Sequence, residues 1–201
     1  MGEIGLRERK RQRMYRDVSE TAIRLFLERG FDAVSVAEIA AAAEISKPTL
    51  FRYFPAKEDL VLHRIADHEQ ESARVAAQGP TPIAALRRHF LDGLERSDPV
   101  TGLNDHPAVL AFHSLLYGTP SLLARVYAYQ ERSEAALAEA LGGGLEARLA
   151  AGQIIAVQRI LALDNWRRIA AGERIEDVRP DAVAAAERAF AMLAAGLPGF
   201  A

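Results

Sequence analysis

The chain has 201 residues, half of them hydrophobic, enough for one large domain or for a small one joined to a medium one, each with a core. It has no cysteine, which excludes disulfides, thiolate metal sites and cysteine nucleophiles and makes a reducing cytoplasm the expected location. The net charge of −2 is unevenly spread: residues 1–64 carry 12 Lys/Arg against 10 Asp/Glu, whereas the remainder carries 13 against 17.

In chain order, the first segment is basic, with six Arg/Lys among the first sixteen residues. It reads either as a solvated tail or as an arm (1–16) that meets a polyanion. It lacks the apolar core of a signal peptide. Val18, Ala22, Leu25 and Phe26 then fall on one helical face. Gly30 is expected to stop that helix as a left-handed cap, with Phe31 folding back on its last turn. Ser35 and Glu38 form a capping box that opens a second helix, with Val36, Ile39 and Ala40 inward and an end near Ala43. Ser46 caps a third helix, Pro48 occupies its first turn, Leu50 and Phe54 face the core, and Pro55 closes it. A fourth helix is expected from Lys57 to about Ala77. Gly79, Pro80 and Pro82 mark a boundary. Beyond them, helices are expected at 82–96, 106–117, 120–141, 145–171 and 179–196, giving about nine in all. No alternating strand pattern appears, so the expected class is all-α. No apolar run reaches the roughly 20 residues that span a bilayer, so no membrane partner is expected.

Three short helices with a tight turn between the second and third describe a helix-turn-helix, whose third helix enters a DNA major groove. Lys47, Thr49, Arg52 and Tyr53 lie on or near the side away from Leu50 and Phe54, and Ser46, Pro48 and Phe51 complete the expected DNA-binding set on this helix. Thr49 can touch a base edge or a thymine methyl, and Tyr53 can donate to a phosphate. Lys57 and Ser35, at helix starts, can add phosphate contacts. Arg13 and Arg16, leading into the first helix, can clamp the backbone.

The stretch Phe31–Leu60 resembles the N-terminal domain of tetracycline-repressor-type (TetR) bacterial transcriptional regulators. The resemblance rests on ERGFDAVSVAEIA followed by SKPTLFRYFPAKEDL and spans about residues 14–62. The chain departs from the usual pattern at three positions. Glu44 stands where a turn glycine is common, so it must adopt a left-handed conformation, costing about 1 kcal/mol or more, or shift the turn. Phe51 stands where a tyrosine is common, and Ala56 replaces a Ser or Asn cap, at a cost of about 1 kcal/mol. The resemblance implies a DNA-binding domain at 1–62, an effector-binding and dimerisation domain at 63–201, and a homodimer formed by the last two helices. Residues 182–195, AVAAAERAFAMLAA, are small and apolar enough for close helix contact, the alternative being packing against the core of the same subunit.

In the body, Ile155, Ala162, Trp166 and Ile169 form an apolar stripe interrupted by Arg159. That cation must hold a ligand's anionic head, pair with an internal carboxylate, or reach water. Gln158, Asp164 and Asn165 lie close by, and Trp166, Leu161, His89, Phe112, His113, Tyr117 and Tyr127 are further candidates for a ligand pocket. The stretches LRRHFLDGLE, LLARVYAYQERSEAALAEAL and LALDNWRRIAAG resemble the effector domain of a TetR subgroup associated with acyl-CoA-like ligands, including regulators near mycofactocin genes.

The five histidines form no H-E-x-x-H pair, and no G-x-S-x-G elbow, phosphate loop or dinucleotide fingerprint appears. No metal, cofactor or catalytic residue is therefore expected. The expected function is a repressor that binds a roughly palindromic double-stranded operator as a homodimer, with recognition helices about 34–36 Å apart, under the control of a small amphipathic effector. The alternative is a helical protein–protein adaptor without DNA binding, which would lack the steep salt dependence of phosphate contacts.

Overall fold

The structure, a computed structural model, describes residues 5–66 and 68–201. Ten α-helices and no strand are present among these residues. They fall into two compact units that do not follow chain order: Met1–Asp67 with Ala111–Tyr127, and His68–Leu110 with Ala128–Ala201.

The first unit holds α1 (Leu6–Arg29), α2 (Val36–Ala42), α3 (Lys47–Tyr53) and α4 (Asp59–Ala66). It also takes in most of α7 (Pro107–Gly118) and the first turns of α8 (Pro120–Ala140). Its core joins Val18, Ala22, Phe26, Ile39, Leu50, Phe54 and Leu60 to Phe112, Leu116, Leu122 and Val126. The expected inward face of α1 is therefore real, and it is reinforced by a polar tie: buried Ser19 donates to the Leu60 carbonyl at 2.6 Å, joining α1 to α4. Phe31 folds back on Phe26 with ring centroids 4.8 Å apart. Gly30 differs from the expected left-handed cap. Its φ of 87° is positive, but its ψ of 148° is extended, outside the left-handed helical region.

The second unit packs α6 (Pro82–Glu95), α9 (Gly144–Ala170) and α10 (Ile175–Gly196) around Leu86, Phe90, Leu94, Ile154, Val178, Ala186 and Phe190, with α5 (Glu71–Ala76) against α6. Gly102 lies so close to α9 that an added Cβ would come within 1.9 Å of the Ala162 carbonyl oxygen. The neighbouring Thr101 carbonyl accepts from the buried Asn165 amide at 2.9 Å.

Two element boundaries differ from expectation. The helix expected over 57–77 is divided into α4 and α5 by a turn at 68–70, in which the His68 carbonyl accepts from the Glu71 N–H and the His68 ring bonds the Glu71 carboxylate at 2.8 Å. The last helix starts at Ile175 and runs through Pro180. So close to the N-terminus the missing N–H strands one carbonyl, that of exposed Glu176, which water can serve.

Candidate nucleic-acid interface

The turn between α2 and α3 is built by backbone bonds. The Ile45 N–H reaches the Ala40 carbonyl at 3.0 Å and the Glu44 N–H reaches Ala41 at 3.1 Å, the paired closure of a Schellman motif. That motif requires its central residue at positive φ, and Glu44 adopts 54°. The turn is thus not shifted: glutamate carries the strain that glycine would avoid.

At its start, α2 has the full capping box: Ser35 Oγ accepts from the Glu38 N–H at 3.2 Å and Glu38 Oε2 accepts from the Ser35 N–H at 2.8 Å. The Ser35 backbone N–H, then its hydroxyl, then Arg29 at 2.7 Å hold the Glu38 carboxyl down to about 2. The Ser35 N–H is therefore engaged by the Glu38 carboxylate inside the cap. The α3 cap is simpler. Ser46 Oγ accepts from the Thr49 N–H at 3.2 Å and shares a hydrogen bond with Thr49 Oγ1 at 2.8 Å.

On α3 the two faces separate cleanly. Leu50 and Phe54 are buried in the first unit. Lys47, Pro48, Phe51 and Arg52 are exposed, and Thr49 and Tyr53 are half-buried at the flank. Tyr53 leans edge-on against Tyr15 at 5.2 Å, with the Arg52 guanidinium 5.2 Å from its ring centroid. Tyr15, which also meets Phe54 edge-on at 5.1 Å and stacks on His63 at 4.9 Å, fixes α3 against α1 and α4. Sequence reasoning missed Tyr15 and Ser19. The available signal was a polar or amphipathic residue embedded beside an apolar stripe. Arg13 and Arg16 stand exposed on α1, Arg13 4.0 Å from Asp17.

Lys57, expected to add a phosphate contact, is engaged within the protein. Its ammonium donates to the Phe31 carbonyl and lies 4.3 Å from the Phe31 ring centroid and 5.4 Å from that of Phe26. This half-buried cation thus has a carbonyl and two ring faces as its partners within the unit. Ala56 lacks a capping oxygen, but Asp59 Oδ2 accepts from its N–H at 2.9 Å, restoring half of a capping box at the start of α4.

The residues expected to line a ligand pocket divide between the units. In the first, buried Phe112, half-buried His113 and Tyr117 are neighbours at 6.0 Å steps, and burial pushes the His113 imidazole below its usual range. Tyr127 is exposed. In the second, several candidates are engaged by the fold itself. Asn165 is bound to Thr101, Gln158 accepts from Ser72 at 3.1 Å, and Leu161 packs on the core. His89 is 3.4 Å from Glu71, whose carboxylate also takes His68. Those two imidazoles hold Glu71 well below the ordinary carboxylate range, and Glu71 in turn raises His89. His89 also borders an open cleft with Val75, Gln78, Ala85, Arg88 and Asp92. Trp166 is half-buried on α9. Arg159 is half-buried and has neither ion pair nor hydrogen bond among the described residues, so the internal carboxylate considered for it is not found there.

The arrangement at α2 and α3 coincides with a match of residues 19–63 to the family described as bacterial regulatory proteins, tetR family. The HTH-type transcriptional regulator TcmR of Streptomyces glaucescens is 32% identical over 166 residues, which cover 80% of this chain and 67% of that protein. The chain belongs to the TetR family. It is a transcriptional regulator of the DNA-binding type, and this is a family of regulators, not of enzymes. MftR of Mycobacterium tuberculosis, named for regulation of mycofactocin biosynthesis, is 47% identical over 49 residues, which span only 25% of its length. Among solved structures, Salmonella enterica GusR aligns with a TM-score of 0.59 at 18% identity, covering 98% of both chains. A TetR-family regulator from Streptomyces coelicolor aligns at 0.58 and 21% identity, covering 94% of this chain and 99% of that one. These two likenesses show the shared fold.

Proposed function

We propose that the chain is a repressor that grips a roughly palindromic operator as a homodimer, with α3 of each copy in a major groove. The observation that carries this reading is the division of α3: Leu50 and Phe54 are sealed inward while Lys47, Phe51 and Arg52 stand bare behind a capped start. Cations on the outward ridge meet phosphates and guanine edges, and Arg13 and Arg16 extend that footprint along α1. In this reading residues 1–62 bind DNA, and residues 63–201 take the effector and the twin subunit. The dimer would use α9 and α10, which leave Leu145, Leu149, Ile160, Val183 and Met192 exposed. Five large apolar side chains bared on two mutually packed helices suit a matching apolar face better than water. The effector is a small amphipathic molecule of acyl-CoA type, its anionic part met by the unpaired Arg159. Its leverage equals its affinity difference between the DNA-competent and released states. The protein works in the cytoplasm, where its DNA is.

The test is a duplex-binding titration over a salt series on a sequence selected from random DNA. Affinity should fall steeply as salt rises, and Arg52→Ala should weaken binding while leaving the dimer intact. A flat salt response on every duplex would leave the adaptor reading in its place.

A further inference from the structure

We infer that the His68–Glu71–His89 cluster is a proton-operated latch: while His89 is charged it keeps the chain divided into α4 and α5, and when His89 is neutral residues 68–70 join the helix. This inference does not depend on the DNA-binding reading above. From Lys57 to Gln78 the sequence has no glycine or proline, so no residue there forbids a continuous helix. Yet α4 ends at Ala66 and α5 begins at Glu71. The division is held by side chains. Glu71, the first residue of α5, has both carboxylate oxygens engaged: Oε2 by His68 Nδ1 at 2.8 Å, from inside the turn, and Oε1 by His89 Nε2 at 3.4 Å, from α6. Gln70 supplies no side-chain cap to α5, and a helix of six residues has little stability of its own. The two imidazoles therefore fasten the start of α5, one to the turn and one to α6.

The surrounding charges leave the state of the latch to protons. Near His89, Arg96 and Asp98 act with opposite signs, and Arg88 and Asp92, again a cation and an anion, line the adjoining cleft. In the turn, Glu69 is paired with Arg132 of α8 at 2.7 Å. Tyr129 of α8 stays neutral, because burial pushes its hydroxyl far up. From α9, Gln158 offers Ser72 only a neutral amide. Glu71 stays ionised, since His68 and His89 hold it well below the ordinary carboxylate range. The group that changes charge near neutrality is the imidazole. The bond to Glu71 raises His89 above 6.5, so the latch is complete below 6.5 and is lost as pH climbs through the raised value. A neutral imidazole keeps one N–H, but it no longer supplies the positive charge that holds a half-buried carboxylate in place.

The experiment follows the full chain by nuclear magnetic resonance between about pH 5.5 and pH 9, the range that brackets an imidazole. It records the ring signals of His89 and the backbone Cα shifts of residues 68–70. In the wild type, His89 should titrate above 6.5, and the Cα shifts should move toward helical values with the same midpoint. Glu71→Gln, which keeps the shape but removes the charge, should lower the His89 midpoint and leave residues 68–70 in their high-pH positions at every pH. His89→Gln should abolish the step altogether. Cα shifts that stay fixed in the wild type, or that move away from helical values, would overturn the latch. So would a His89 midpoint at or below 6.5, or a step that persists unchanged in Glu71→Gln. The wild-type titration decides the matter even where a variant fails to fold.

Discussion

The helix-turn-helix unit and the second unit use their polar residues in opposite ways. On α3, Lys47 and Arg52 keep their charges toward solvent, and the hydrogen bonds that shape the helix start are local, Ser46 to Thr49. In the second unit, the polar residues are bound across long stretches of chain: Asn165 to Thr101, Gln158 to Ser72, Arg179 to the end of α6. A polar residue on a short capped helix is free to meet a partner outside the protein, whereas one on a long packed helix usually completes the fold. Lys57 marks the limit of the contrast. It belongs to the first unit, yet it behaves like the second, reaching the Phe31 carbonyl 26 residues away.

The sharpest way to break the contrast is to remove structure from each unit and ask what else is lost. Phe54→Ala should destabilise the first unit by about 3–5 kcal/mol in urea denaturation, because Phe54 is 2% exposed. Phe51→Ala, its outward neighbour by three positions, should change stability by less than about 0.5 kcal/mol. Comparable losses for the two would mean that α3 has no free face.

In the second unit, Gly102→Ala should cost about 3 kcal/mol or more, since its Cβ would meet the α9 backbone at a φ of 72°. Asn165→Ala should cost about 2 kcal/mol by leaving the buried Thr101 carbonyl unpaired, whereas Arg159→Gln should be nearly neutral for folding. Denaturation midpoints in the reverse order would turn Arg159 into a structural residue and return Asn165 to the ligand candidates.

Glu44→Gly should raise stability by about 1 kcal/mol, because glycine accepts the φ of 54° without strain. No gain in melting temperature would show that the glutamate makes up the strain through contacts of its own.

The smallest effect is in pH. Glu38 is depressed from 4.5 to about 2, so its contribution is complete above 4.5 and is lost as pH falls from there toward 2. His89 runs the other way: raised above 6.5, its bond to Glu71 is fully supported below that value and weakens as pH climbs through the raised one. Thermal melts across pH should therefore show an acid limb that flattens in Glu38→Gln and a shallower neutral limb that flattens in His89→Gln. An acid limb unchanged by Glu38→Gln would detach the capping box from stability.

Much of the first unit could be read without coordinates because its signals are near neighbours. Ser35 with Glu38, Ser46 with Thr49, and Leu50 with Phe54 each act within one turn of helix, and all behave as the sequence implies. The turn was legible except for a choice at Glu44, which the Ile45–Ala40 hydrogen bond resolves. The candidate site was less legible where a side chain is engaged far along the chain: nothing near Lys57 announces its bond to the Phe31 carbonyl 26 residues away. The break between α4 and α5 escaped the sequence reading because residues 68–70, His-Glu-Gln, include no glycine or proline to announce a turn, while the His68–Glu71–His89 contacts that hold it include a residue on α6.

The sequence by itself determined the all-helical class, the caps, the outward ridge of α3 and the family resemblance, because each depends on spacings of three or four residues, which helix geometry converts directly into faces. Only the tertiary structure decided which polar groups remain available: that Lys57 and Asn165 are engaged by carbonyls, that Arg159 is not engaged, and that residues 111–127 join the N-terminal helices. The reason is physical. A hydrogen bond or a close backbone approach between residues tens of positions apart leaves no periodic trace in the chain, and its partners become defined only when the cores close around them.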